Sequence, residues 1–139
     1  MIYKPMAAAQ NVIDTHRNQI YIVNESSGFS DGTVSVINGS NDRIEYDIRV
    51  GKGPVDIAAG AGKYYVSNSV SNTVSVIDGS TATKAPLAVH VGINPGKIGY
   101  DADTNMIYVF NQVMCLYLKP TRIIIQVLNS KVIQVLSPQ

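Results

Sequence analysis

Ile20-Tyr21-Ile22-Val23-Asn24, Tyr64-Tyr65-Val66-Ser67-Asn68 and Ile107-Tyr108-Val109-Phe110-Asn111 are three versions of one phrase, and their first residues lie 44 and 43 residues apart. A constant period of about 40–45 residues marks a repeat architecture, in which each copy is one supersecondary unit that cannot bury its apolar face alone. A repeat reveals an architecture directly. An activity requires a place where the chain departs from it.

Two further phrases run in step with the first. Thr33-Val34-Ser35-Val36-Ile37-Asn38-Gly39-Ser40 returns as Thr73-Val74-Ser75-Val76-Ile77-Asp78-Gly79-Ser80, with Asn and Asp exchanged at a position where both favour a tight turn. Val50-Gly51-Lys52-Gly53-Pro54 is matched by Val91-Gly92-Ile93-Asn94-Pro95. The first copy carries an insertion between its first two phrases, Glu25 to Gly32, as a surface loop tolerates.

Each unit reads as four short strands. In the second they are expected near Val55 to Ala59, Lys63 to Ser67, Thr73 to Asp78 and Ala85 to Val91, with Gly, Pro, Ser and Asn between them. Thr73 to Ile77 alternates small polar with β-branched apolar residues, the period of a half-buried strand. Pro54 and Pro95 fall between units, where a missing N–H harms no ladder. No window shows capped helical periodicity, so the expected fold class is all-β.

Four antiparallel strands repeated in tandem at this spacing make β-propeller blades. The phrase Tyr65-Val66-Ser67-Asn68 followed by Asn72-Thr73-Val74-Ser75-Val76-Ile77-Asp78 resembles the YVTN-type propeller repeat. Asp101-Ala102-Asp103-Thr104-Asn105 before Ile107, and Asp14-Thr15-His16-Arg17-Asn18 before Ile20, are similar to the turns of that family; the resemblance runs from about Lys4 to Asn111. It implies a propeller of the kind found in surface-layer-like and secreted proteins of archaea and bacteria. It also implies relatives of two kinds, binding or scaffold modules and propeller enzymes of lactonase, lyase or dehydrogenase type.

The organisation expected is a partial propeller over residues 1–111, with about three blades near 5–54, 55–95 and 96–111 onward, and a divergent β-rich tail over 112–139. A closed ring takes at least about four blades, so the ring is incomplete unless other copies of the chain complete it. The start, Met1-Ile2-Tyr3-Lys4-Pro5, reads as the end of a preceding blade. After Asn111 the Thr-Val-Ser-Val phrase gives way to Val113 to Pro120, then to Ile123 to Leu128 and Lys131 to Leu136. Two readings of the tail stand open: a hairpin that completes or caps the third blade, and a frameshifted end of a truncated chain.

Acids and bases nearly balance, with a formal charge of +1, so no electrostatic footprint for a nucleic acid is present. No run approaches the roughly 20 apolar residues of a membrane span. Met1 to Gln10 lacks a signal peptide's apolar region, while the family resemblance implies an extracellular or cell-surface location. Cys115, the single cysteine, reads as a small hydrophobe between Met114 and Leu116. His16 and His90 read as structural. Asp101 and Asp103 have the alternate spacing of calcium loops without the Gly and later Glu of an EF-hand, and an Asx turn is the simpler role.

The paired glycines Gly51/Gly53 and Gly60/Gly62 precede no helix and make no dinucleotide fingerprint. Tyr21, Tyr65 and Tyr108 recur at one blade position, which points to packing between blades. Asn24-Glu25-Ser26 and Asn38-Gly39-Ser40 match the glycosylation sequon. No catalytic, cofactor-binding or metal-binding residue is nominated, and no cofactor is expected. The function expected is a non-catalytic module binding a protein or surface ligand through loops such as Glu25 to Gly32 and Val70 to Asn72; the alternative is a fragment of a propeller enzyme.

Overall fold

The computed structural model describes residues 10–25, 30–81, 85–113, 122–129 and 132–136. Their regular structure is entirely β. The first sheet contains β1 (Asn11–Asp14), β2 (Gln19–Asn24), β3 (Asp31–Asn38) and β4 (Arg43–Lys52); the second contains β5 (Pro54–Gly60), β6 (Lys63–Asn68), β7 (Thr73–Asp78) and β8 (Leu87–His90). The third contains β9 (Pro95–Asp101), β10 (Met106–Val113), β11 (Arg122–Asn129) and β12 (Val132–Leu136). In each, neighbours in sequence are antiparallel neighbours in space. These are four-stranded meanders of the kind that form propeller blades, three in number among the described residues. Cys115 and the segment 1–9 lie outside those residues.

The registers superimpose the repeats. Asn24 pairs with Thr33 and Asn68 with Thr73, although eight residues join the first pair and four the second. The insertion therefore leaves the sheet untouched. Pro54 and Pro95 open β5 and β9 and are fully buried, paired with Asn68 and Asn111; a strand's first residue can forgo its N–H.

Strand alternation gives each sheet two faces, and the sheets stack through them. Tyr21, Val23, Val34, Val36, Ile48 and Val50 of the first sheet meet Ile57, Tyr64, Val66 and Ile77 of the second in one core cluster. The opposite face of the second sheet carries Ala58 and Val74, which meet Ile98, Ile107 and Val109 of the third, with Tyr65 packed alongside. The first strand of each sheet neighbours the first strand of the next, β1 beside β5 and β5 beside β9. The sheets thus fan outward from their first strands.

Polar contacts fix the spacing between sheets. Asp56 in β5 accepts from Ile98 N at 3.0 Å, and the carbonyls of Lys52 and Gly53 accept from the turn amides of Val70 (3.1 Å) and Ser69 (2.7 Å). Asn24, Asn68 and Asn111, the last residues of the three opening phrases, are buried. The Asn68 amide donates to Thr73 Oγ1 (3.1 Å) and Ser75 Oγ (3.0 Å), as Asn24 does to Thr33 (3.1 Å) and Ser35 (2.8 Å). This explains the repeated Thr-Val-Ser: its hydroxyls receive the asparagine. In the third sheet Ile124 and Gln126 hold the corresponding register positions opposite Asn111 and Val109.

The glycines of the Val-Gly phrases lie against these asparagines. A Cβ on Gly51 would lie 2.8 Å from Asn68 Cγ, and one on Gly92 would lie 2.9 Å from Asn111 Cγ. The last strand of the first sheet, and the chain just beyond the last strand of the second, thus deliver a backbone with no side chain onto the asparagine of the next sheet. Asn24, the acceptor residue of the first sequon, is itself buried and bonded to Ser35, which leaves its amide inaccessible to a glycosylating enzyme in the folded chain.

Candidate functional site

The clearest departure from the repeat lies where the β1–β2 turn of the first sheet faces the β5–β6 turn of the second. Register aligns Asp14, Gly60 and Asp101, and likewise Ile20, Tyr64 and Ile107. Four residues separate Asp14 from Gln19, and four separate Asp101 from Met106, but only Ala61 and Gly62 separate Gly60 from Lys63. Ala61 (φ 52°) and Gly62 (φ 76°) are both left-handed, the geometry of a type I′ hairpin. The short turn and the tyrosine in place of isoleucine make this seam unlike the next.

Between the turns lies a cleft of about 220 Å³ lined by Ile13 to Arg17 on one side and by Ala59, Gly60, Gly62, Lys63 and Tyr64 on the other. Asp14 organises it. Its Oδ1 accepts the backbone N–H of His16 (2.9 Å) and of Arg17 (3.0 Å), an Asx turn, while its Oδ2 accepts Arg17 Nη1 (2.9 Å) and the Tyr64 hydroxyl. Tyr64 is in turn stacked on Tyr21, ring centroids 3.9 Å apart and planes 22° from parallel. A chain separation of 50 residues is closed by the Tyr64–Asp14 bond.

The electrostatics follow from that geometry. Partial burial opposes the Asp14 charge, but the bonds from Tyr64 and Arg17 outweigh it and lower its pKa from 3.8 to about 2. Burial, and then the carboxylate that takes its hydrogen bond, raise the Tyr64 phenol above its ordinary value. The Asp14 partner raises Arg17. Asp14 is therefore an ion with its lone pairs engaged, and Tyr64 a phenol that keeps its proton. Neither member is poised to shuttle protons near neutrality.

The residues singled out in the sequence fall in different places. His16 is exposed at the rim of this cleft, whereas His90 is exposed at the far end of β8. Asp101 accepts Asp103 N (3.0 Å) and Thr104 Oγ1 (2.9 Å) in an Asx turn. No group of three or more His, Cys, Asp or Glu suited to a metal ion occurs among the described residues. Tyr21 and Tyr65 pack in the first and second sheet seams respectively. The Val70 to Asn72 turn lies at the opposite end of its sheet from the cleft, and residues 26–29 of the Glu25 to Gly32 loop lie outside the described residues. Tyr64 carried a legible signal, being the departure from isoleucine inside the most regular phrase of the chain.

Architecture and seam define an all-β protein of tandem four-stranded sheets with a polar cleft between the first two. No protein-family model matches the chain, and no curated protein matches it. Among solved structures it is similar to hydrazine synthase of Kuenenia stuttgartiensis, with a TM-score of 0.70 at 20% identity over 92% of this chain. It is also matched to a functionally unknown protein of Desulfotomaculum acetoxidans DSM 771, with a TM-score of 0.44 and 12% identity. The chain spans 34% of the first structure and 54% of the second. The first likeness is one of fold.

Proposed function

We propose that this chain is a non-catalytic β-propeller repeat module of the YVTN type that binds a protein or surface ligand, as part of a larger cell-surface protein. The observation that carries the reading is the departure from the repeat at the first seam. Tyr64 and the short Ala61-Gly62 turn open a cleft there, and its central ion pair is spent on holding the cleft in shape. Preorganised polar groups of this kind suit recognition. The extracellular setting rests on the family resemblance, and the blade boundaries near 5–54, 55–95 and 96–111 belong to the same proposal.

The test is a glycan and peptide array probed with the full chain and with Tyr64→Ile, which restores the residue that the other two copies carry. A ligand held by the wild type and weakened at least tenfold in the folded variant supports the module. An array that yields no ligand overturns it. Turnover of a lactone by the purified chain with added divalent metal would overturn it in favour of the propeller-enzyme alternative.

A further inference from the structure

We propose that Asn38 is an attachment site for an N-linked glycan, and that the fold selects it over the chain's other sequon. The inference goes beyond the module reading and takes from it only the extracellular setting in which such a sugar is met. Asn24-Glu25-Ser26 and Asn38-Gly39-Ser40 both carry the acceptor pattern. The structure separates them by what each amide is already bonded to.

Attachment replaces one of the two Nδ2 hydrogens of an asparagine with the anomeric carbon of a sugar. At Asn24 both are committed, to Thr33 Oγ1 (3.1 Å) and Ser35 Oγ (2.8 Å), in a residue only 7% exposed. A sugar there would break a buried bond and leave a hydroxyl without its donor. Asn38 ends β3 at a hairpin whose next residues, Gly39 to Asp42, are exposed. Its Nδ2 donates to Glu45 Oε1 at 3.0 Å, at the protein surface. The hydrogen that remains after substitution can keep that bond.

The same turn presents the hydroxyl residue that the pattern requires. Asn38 Oδ1 accepts the N–H of Ser40 at 2.8 Å, an Asx turn that folds residue 40 back beside the amide and polarises it. Ser40 Oγ accepts Asn18 Nδ2 (2.9 Å) and retains its own hydrogen as a donor. Neither bond involves the nitrogen to be modified, so the hairpin survives the modification. The second sheet builds an equivalent turn in which Asp78 Oδ1 accepts Ser80 N at 2.9 Å, but a carboxylate has no nitrogen to offer. The sugar donor is a saccharide linked through diphosphate to a polyprenol. In the transfer Nδ2 bonds to the anomeric carbon, the bond from that carbon to the diphosphate oxygen breaks with its electron pair passing to the diphosphate, and the displaced Nδ2 proton goes to a base of the transferase.

The experiment is transfer in vitro to the folded full chain by a purified oligosaccharyltransferase that accepts Asn-x-Ser, with a polyprenyl-diphosphate-linked sugar, read by intact mass and by peptide mass spectrometry. One glycan per chain is expected, at Asn38, with Asn24 occupied at least about tenfold less, the factor that one net buried hydrogen bond supplies. A free peptide of residues 20–28 is expected to be modified, because burial and not sequence silences Asn24. Asn38→Asp, which puts the second sheet's residue into the turn, should remove the added mass, and Asp78→Asn should add a second glycan. A bare Asn38, equal occupancy at Asn24, an unmodified 20–28 peptide, or a single glycan on the Asp78→Asn chain overturns the assignment. An array without a ligand leaves this site standing, and a chain without a glycan leaves the module standing.

Discussion

Replacing Gly51 by alanine tests whether the sheets are held in register by close contact between a backbone and an asparagine. A Cβ at Gly51 would lie 2.5 Å from Ser71 Oγ and 2.8 Å from both Cγ and Nδ2 of Asn68. Gly51 is not among the residues of positive φ, so the cost comes from crowding alone. Asn68 is fully buried and cannot retreat without loosening its bonds to Thr73 and Ser75, and Ser71 Oγ is itself the acceptor for Lys52 N at 3.1 Å. Overpacking costs about 1–3 kcal/mol and an orphaned buried amide about 1–3 kcal/mol, while the lower entropy of the unfolded alanine chain returns about 0.4–1 kcal/mol. The net expectation is a loss of about 2–4 kcal/mol, a fall in Tm of roughly 6–16 °C for a domain of this size. Chemical denaturation with an unchanged m-value measures it. Gly99→Ala is the control, because a Cβ there meets nothing within 4 Å; it should match wild type or exceed it by up to about 1 kcal/mol, the unfolded-chain gain alone. A Gly51→Ala protein equally close to wild type would refute the reasoning, and so would a failure of Ser71→Ala to recover any of the loss in the double variant.

Three further outcomes are expected. Ala61→Asn should stabilise the chain by about 1 kcal/mol in thermal unfolding, because Ala61 is left-handed and precedes Gly62 in a type I′ turn that favours Asn-Gly. Asp14 has a folded pKa of about 2, below its unfolded value, so its stabilisation is complete above pH ~4 and disappears as the pH falls from about 4 to 2. The shift corresponds to at most about 2.4 kcal/mol, and screening at the 35%-exposed Arg17 side chain reduces it to about 1 kcal/mol; Asp14→Asn should flatten denaturation midpoints over that window. In an ultraviolet titration, Tyr64, raised first by burial and then by its bond to Asp14, should stay protonated at pH ~10.5, where an ordinary tyrosine is mostly ionised, while Tyr21 and Tyr65, also raised by burial, should ionise later than an exposed tyrosine.

The strands were legible because their signals are local. Thr73 to Asp78 alternates in sequence and forms β7 with those bounds, and the other strands of the second sheet differ from the expected spans by no more than two residues at either end. The seams were legible only in outline. That Tyr21 packs between sheets can be suspected from its recurrence; that its partner is Tyr64 of the next copy depends on which face each strand turns inward. Asn24, Asn68 and Asn111 were visible as a repeated letter, yet a strand-ending asparagine usually announces an exposed turn. In the first two sheets the Thr-x-Ser of the adjoining strand accepts the hydrogens of its NH2 group and permits burial. The Asp14–Tyr64 bond joins residues 50 apart and leaves no local pattern, except that one isoleucine of the repeat has become a tyrosine.

The contact of Gly51 with Asn68, and of Gly92 with Asn111, also bears on how such a chain can be lengthened or shortened by recombination. Each junction reads across two repeats, so the glycine's missing side chain has its reason only in the asparagine of the next sheet. A crossover at Pro54 or Pro95 would divide the chain between sheets and still separate each glycine from its asparagine. The new neighbour must then bring a matching partner. Duplication of the first or second copy in frame satisfies this automatically, because each supplies both an asparagine and a glycine. The heritable unit of this architecture is accordingly the joint, and a sheet can be inherited only together with the halves of two joints that it carries.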